Sequence, residues 1–112
     1  MTIFGEHLLS AVRRCRTPVL VGLDPRRDQL PPAMMPAADA EPRTVATAYA
    51  EFCRGVIDVV APSVPAVKPQ AAFFEQLGAP GMVALRARRI GSGYQLSSPH
   101  TTKVGAVMAW RN

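Results

Sequence analysis

The segment Val64-Pro65-Ala66-Val67-Lys68-Pro69-Gln70-Ala71-Ala72-Phe73-Phe74-Glu75 decides the fold of this chain, because it ends a short apolar run on a single charged residue. Lys68 is the only lysine among the first 102 residues, and a proline follows it directly. An earlier segment, VLVGLDP at residues 19–25, has the same form and ends on Asp24 before a proline. Parallel sheets carry their chemistry at the carboxyl ends of buried strands. Asp24 and Lys68 are therefore candidate site residues.

The pattern of apolar residues around these two segments predicts alternating helices and strands. Helical spacing, with an acidic residue early and arginines late, predicts an amphipathic helix over residues 3–15. The apolar run Val19–Leu23 predicts a parallel strand that is covered on both faces, and Val64–Lys68 is predicted as the second strand. From Thr44 a helix of roughly four turns is predicted, with one apolar face made of Val45, Tyr49, Phe52, Val56 and Val60. A shorter helix is predicted over Ala71–Leu77. The order α-β-loop-α-β-α indicates an α/β fold built from βα units.

The remaining segments show a less regular pattern of apolar residues. Residues 25–43 contain five prolines and predict a long loop, which in a compact domain is usually functional or flexible. Gly78–Gly81 predicts a turn, and Met82–Ile90 the start of another helix. Val104–Trp110 is apolar enough for one further strand, although no predicted helix connects it to the others.

Charge divides the chain into two parts near position 85. Residues 1–85 hold eight basic and eight acidic side chains, whereas residues 86–112 hold five basic side chains and no acidic one. The net charge of +5 therefore lies entirely in the second part. The chain therefore divides into an α/β part, residues 1–85, and a basic tail of uncertain structure, residues 86–112.

Composition excludes several classes of protein. A chain that is 48% apolar and 19% charged is not of disordered composition, and no apolar run approaches the length of a bilayer span. The N-terminus shows no secretory signal pattern, so we expect a cytoplasmic protein. Cys15 and Cys53 lie on predicted helices and are expected to be reduced core thiols, with a disulfide or a catalytic cysteine as the alternative. Their separation from the two histidines argues against a structural zinc site.

The strand-end segments, in this order, resemble the orotidine 5'-phosphate decarboxylases. The resemblance is carried by TPVLVGLDPR at residues 17–26 and by VPAVKPQAAFFE at residues 64–75, and extends over about residues 3–85. The long VKPQxAFFE form is similar to the bacterial type that has an extended loop after the first strand. The resemblance implies a (β/α)8 TIM barrel that works as a homodimer. The chain would then be an N-terminal fragment of that barrel, with two βα units and an unrelated-looking tail.

The resemblance also implies an activity. Members of this family convert orotidine monophosphate to uridine monophosphate and CO2 in pyrimidine biosynthesis, without a cofactor or a metal. Asp24 matches the aspartate that binds the ribose hydroxyls, and Lys68 matches the first lysine of an alternating Lys/Asp network. Such a preorganised field of charges favours the carbanion that forms when CO2 leaves.

One part of the family pattern is missing. The resemblance leads us to expect an Asp-x-Lys-x-x-Asp motif after Gly81, yet no aspartate follows Asp58. Lys103 lies in Thr-Lys-Val without either aspartate, so the role of proton donor is not assigned to it. The abrupt loss of family character suits a frameshift, a premature stop or an unrelated tail. We therefore expect that residues 1–112 alone do not catalyse the reaction.

Each candidate residue also has a plainer interpretation. Asp24 could be a turn former, and Lys68 a surface lysine whose stem alone is buried. Phe73 and Phe74 are better suited to the core than to stacking on a substrate. Arg26 and Arg27 are better suited to a solvated loop than to a phosphate contact.

Two other functions compete with the decarboxylase interpretation. The five cations of the tail, with Tyr94 and Trp110, could bind nucleic acid through phosphate contacts and stacking, although their scattered positions argue against this. The chain could also be a non-catalytic fragment that associates with a full-length decarboxylase.

Overall fold

The computed structural model describes residues 4–86, 94–96 and 108–110. Over this part of the chain, the predicted order of a lead-in helix, strand, loop, helix, strand and helix is confirmed. None of the described helices is long and apolar enough to cross a membrane. The helices and strands are α1 (Phe4–Cys15), β1 (Leu20–Leu23), α2 (Pro42–Val60), β2 (Ala66–Pro69), α3 (Ala71–Glu75), α4 (Ala79–Arg86), β3 (Tyr94–Leu96) and β4 (Met108–Trp110).

The sheet has a parallel half and an antiparallel half. β1 pairs in parallel with β2, and the long helix α2 connects them, which forms the predicted strand–helix–strand unit. On its other side β2 pairs antiparallel with β4, and β4 pairs antiparallel with β3, so the order is β1-β2-β4-β3. A parallel pair of this kind is compatible with a segment of a (β/α)8 barrel, in which every strand is parallel to its neighbours. The described residues form an open mixed sheet.

Two predicted elements, one near the start of the tail and one near its end, lie only partly within the described residues. The strand predicted over Val104–Trp110 is present at Met108–Trp110, and its residues 104–107 lie outside the described residues. The helix predicted over Met82–Ile90 is present as far as Arg86, and residues 87–90 also lie outside.

The prediction that β1 is covered on both faces is wrong. Val19, just before the strand, is 57% exposed and Leu20 is 43% exposed, whereas Leu23 is 1% exposed. β1 is the terminal strand of the described sheet, so part of its surface has no neighbour. In β2, which has a neighbouring strand on each side, Ala66 and Val67 are both buried.

The buried face of α2 matches the predicted one in part. Val45 and Tyr49 are buried as predicted, whereas Phe52, Val56 and Val60 are half-buried and pack against the core. The prediction counted only large apolar residues and valines, whereas the buried face of α2 also contains three alanines. The helix begins at Pro42, earlier than predicted, because proline fits the first helical turn. Its buried residues are Val45, Ala46, Ala48, Tyr49, Ala50, Cys53 and Ile57.

An aromatic pair connects α2 to the helix after β2. The rings of Tyr49 and Phe74 meet edge to face, with centroids 6.0 Å apart and an interplanar angle of 82°. This is a favoured aromatic geometry. Phe74 is fully buried, which confirms its predicted place in the core, and it shares one cluster with Leu23 and Val67 of the two parallel strands.

Two glycines shape the junction between α3 and α4. Gly78 has a φ of +70°, a left-handed conformation that suits glycine just after a helix. α4 then begins at Ala79, so the predicted turn over 78–81 is shorter than expected, because Pro80 fits a first helical turn. A Cβ atom on Gly81 would lie 1.8 Å from the carbonyl oxygen of Phe74, so only glycine fits there.

The long loop after β1 has local structure. It contains two short 3₁₀ turns, Arg27–Gln29 and Pro32–Met34, and the buried side chain of Leu30 anchors it to the core. The Arg27 guanidinium also donates a hydrogen bond to the carbonyl oxygen of Ala37 within the same loop.

Gly81→Ala should lower the free energy of unfolding by about 1–3 kcal/mol, because the new methyl group overlaps backbone atoms that cannot move independently. Gly55→Ala is the matched control. Gly55 is an exposed glycine of α2 at which an added methyl group would meet no atom within 4 Å, so the change should stabilise the chain by about 0.5–1 kcal/mol. Urea denaturation measures both, and equal effects of the two variants would contradict the close approach at Gly81.

Candidate active site

The parallel register of β1 and β2 places the two predicted site residues at the same edge of the sheet. Gly22 lies opposite Lys68, and Leu23 lies opposite Pro69. One residue further, the amide of Gln70 donates a 2.9 Å hydrogen bond to the carbonyl oxygen of Leu23, which continues the pairing to the strand ends. Asp24 follows this last pair directly. The carboxyl ends of both strands thus meet at one edge, where ligands bind in parallel sheets.

Gly22 leaves room beside the Asp24 carboxylate. A Cβ atom on Gly22 would lie 3.5 Å from Oδ1 of Asp24, so this carboxylate turns back over the glycine. Because Gly22 is the register partner of Lys68, the open position lies between the two strand ends. The distance of 3.5 Å is an ordinary van der Waals contact, and Gly22 was not among the residues predicted for the site.

Asp24 and Lys68 differ in their surroundings. Asp24 is exposed and Lys68 is half-buried. Among the described residues, the structure records no hydrogen bond or ion pair to the Lys68 ammonium group. The described part of the chain therefore offers one cation and one carboxylate at the strand ends. It also contains no cluster of three or more His, Cys, Asp or Glu side chains that could hold a metal ion.

Cys53 lies beneath this edge on α2. It is 0% exposed, and burial raises the pKa of its thiol to about 12, with a further contribution from the negative charge of Asp24. The thiol is therefore protonated at neutral pH and is a poor nucleophile. This confirms the prediction of a core thiol for Cys53.

Cys15 is not the core thiol that was predicted. It is half-buried at the end of α1, with its Sγ 3.8 Å from the guanidinium of Arg14. Both cysteines are free.

The neighbouring arginines of the β1 loop have different partners. The Arg26 guanidinium lies over the ring of Phe73, 5.5 Å from its centroid, whereas Arg27 bonds the carbonyl oxygen of Ala37. Arg26 is exposed and Arg27 is half-buried, so the loop is solvated as predicted, and both side chains also have a partner within the chain. Phe73 itself is half-buried and packs against the core, so its ring presents one face to the loop.

A groove among the described residues lies away from the strand ends. It has a volume of about 750 Å³ and runs between α2 and α4. Its lining contains no residue of β1 or β2, so it is separate from the edge that carries Asp24 and Lys68. The lining residues are Arg43, Ala46, Thr47, Ala50, Ala79, Pro80, Val83 and Ala84.

The stability of the chain should fall in alkaline solution because of Cys53. Its thiol has an ordinary pKa of 9.0 when unfolded and about 12 when folded. The unfolded chain therefore loses the proton first. The contribution of Cys53 to stability is complete below pH 9 and is lost as the pH rises towards 12, by up to about 1.4 kcal/mol per pH unit. Urea denaturation should show that the unmodified chain loses stability relative to Cys53→Ala over this range.

Alkylation gives an independent check. Iodoacetamide should modify Cys15 in the native chain, and Cys53 only after urea is added. Native labelling of Cys53 at a rate similar to that of Cys15, or parallel pH profiles of the unmodified chain and Cys53→Ala, would contradict the burial of this thiol.

Comparison with known proteins identifies relatives of this chain. It is 50% identical over 86 residues to the orotidine 5'-phosphate decarboxylase of Rhodopirellula baltica, a match that covers 76% of this chain and 28% of the relative. The enzymes of the same name from Myxococcus xanthus and a Roseiflexus species are 36% identical over 80 residues and 39% identical over 82 residues. These two matches cover 71% and 73% of this chain, and 25% and 27% of the relatives.

No family model matches the chain, and no solved structure matches it. The chain spans about a quarter of the length of the curated relatives it matches. Over the matched 86 residues, this chain is homologous to the orotidine 5'-phosphate decarboxylases, as a partial match consistent with their N-terminal segment.

Proposed function

We propose that this segment serves the reaction for which its relatives are named, the decarboxylation of orotidine 5'-phosphate to uridine 5'-phosphate. The observation that carries the proposal is the parallel register that sets Gly22 opposite Lys68, with Asp24 at the same edge. The identity of 50% over 86 residues with a decarboxylase supports it. In the proposed roles, Asp24 binds the ribose hydroxyls and Lys68 belongs to the charged network around the reacting carboxylate.

The two roles follow from the chemistry of the side chains. A carboxylate accepts hydrogen bonds from two neighbouring hydroxyl groups, and a charged acceptor strengthens each of them. Loss of CO2 leaves an electron pair on the pyrimidine carbon, and a fixed ammonium group nearby stabilises this developing negative charge. Lys68 is suited to this because its strand is held between two neighbours, which fixes its backbone before the substrate arrives.

We further propose that residues 1–112 do not complete the reaction by themselves. The family resemblance assigns proton donation to a lysine in an Asp-x-Lys-x-x-Asp motif, and no aspartate follows Asp58 in this chain. The chain also spans about a quarter of its relatives. Eight strands close a barrel of this class, and the described residues supply two parallel ones.

The remaining proposals follow from the same relatives. We propose that the intact enzyme is a cytoplasmic homodimer, that orotidine 5'-phosphate is its partner rather than a membrane or a nucleic acid, and that the reaction requires neither a cofactor nor a metal.

The purified 112-residue chain should convert no orotidine 5'-phosphate, because it lacks the proton-donating lysine motif. Chromatographic detection of uridine 5'-phosphate measures this against a mock preparation from cells that lack the expressed chain. Product above the mock level would show that residues 1–112 contain a complete site.

A graft tests the two site residues separately from the completeness of the chain. In the Rhodopirellula baltica enzyme, the 86 matched residues of this chain would replace their counterpart. Lys68→Met should lower kcat by about 10²–10³-fold or more, because the ammonium group acts in the transition state. Asp24→Asn should raise KM by roughly 10–100-fold, because charged hydrogen bonds to the ribose are weakened.

Asp58→Asn is the matched control, because Asp58 is an exposed carboxylate on α2 away from the strand ends. It should leave kcat and KM unchanged. Normal turnover by Lys68→Met, in a graft that is itself active, would overturn the assignment of Lys68.

A further inference from the structure

We infer that Arg26 is a positioning residue for this site, because its guanidinium clamps the loop that carries Asp24 onto Phe73 of the helix that follows Lys68. The inference rests on the proposed function. The contact is a cation–π interaction with the guanidinium carbon 5.5 Å from the ring centroid, within the distance at which such pairs attract. It joins two segments that are distant in sequence but adjacent at the strand ends.

In the β1 loop, the backbone between Asp24 and Arg26 has little conformational freedom. Pro25 alone lies between Asp24 and Arg26, and its side chain is fully buried. The proline ring fixes its own φ angle. Arg26 has extended backbone angles, φ −111° and ψ 126°, and the 3₁₀ turn Arg27–Gln29 begins directly after it. A displacement of the Arg26 backbone must therefore move Asp24.

On the other side of the contact, the Phe73 ring is fixed relative to Lys68. Pro69 is fully buried, and the amide of Gln70 is bonded to the carbonyl oxygen of Leu23 in β1. The amide of Phe73 then donates a 3.3 Å hydrogen bond to the carbonyl oxygen of Gln70, which starts the helix α3. The ring packs against the core and offers a stationary surface to the arginine.

Arg27 shows that this arrangement is specific to one of two adjacent arginines. Its guanidinium bonds Ala37, which belongs to the same loop, so it does not connect Asp24 to the second strand end. Both side chains carry the same charge, so Arg27→Ala is a control for the loss of a positive charge. Only the loss of Arg26 also removes the contact between the two segments.

The first test uses the full 112-residue chain and nuclear magnetic resonance. Arg26→Ala and Phe73→Leu should each shift the side-chain carboxyl ¹³C resonance of Asp24 and increase the mobility of its backbone amide. Arg27→Ala should do neither, and Phe73→Tyr should restore the unmodified spectrum because it keeps the ring. If Asp24 is unchanged in both Arg26→Ala and Phe73→Leu, the inference is overturned whatever the activity of the grafted enzyme.

The second test uses the grafted Rhodopirellula baltica enzyme. Arg26→Ala and Phe73→Leu should raise KM for orotidine 5'-phosphate about two- to five-fold with kcat little changed, as expected for one exposed cation–π contact. Arg27→Ala should leave KM unchanged.

The two proposals fail differently in this experiment. Full activity of Lys68→Met, in a graft that is itself active, would refute the catalytic role proposed for Lys68. An inactive Lys68→Met variant together with equal KM values for Arg26→Ala and Arg27→Ala would refute the positioning role alone.

Discussion

The parallel pairing of β1 with β2 is the constraint on which the candidate site depends. Side chains alternate between the two faces of a strand, so a slip of one residue would turn Lys68 to the opposite face. The burial of Leu23 and Val67 opposes such a slip, because both would lose their place in the core. The hydrogen bond from Gln70 to Leu23 holds the same register at the end where the chemistry is proposed.

The helices pack on the paired strands and bury their apolar side chains. α2 packs into the core cluster that contains Leu23 and Val67 of the sheet, and Tyr49 extends the contact to Phe74 beyond β2. The same packing places the Cys53 thiol within the electrostatic influence of Asp24. The exposed carboxylate of Asp24 at the strand end therefore lies above an apolar layer that contains Cys53.

The second half of the sheet differs from what the homology implies. In a (β/α)8 barrel, β2 would have a parallel neighbour on each side, but here the antiparallel strand β4 occupies its second edge. An unpaired strand edge leaves amide and carbonyl groups without partners, so any extended segment within reach is stabilised by pairing there. Residues 108–110 fill this position in the 112-residue chain, whose matched part spans about a quarter of the homologous enzymes.

The sequence by itself determined the order of helices and strands and both strand-end residues, because apolar periodicity and prolines act locally. It also carried the resemblance that the comparison with known decarboxylases confirmed over 86 residues. Only the tertiary structure decided which face of α2 is buried, that β1 is partly exposed, and that Gly22 and Arg26 adjoin the site. These features depend on contacts between residues far apart in the chain, such as Arg26 with Phe73 and Gly81 with Phe74, and a local pattern of residue types carries no information about distances between such pairs.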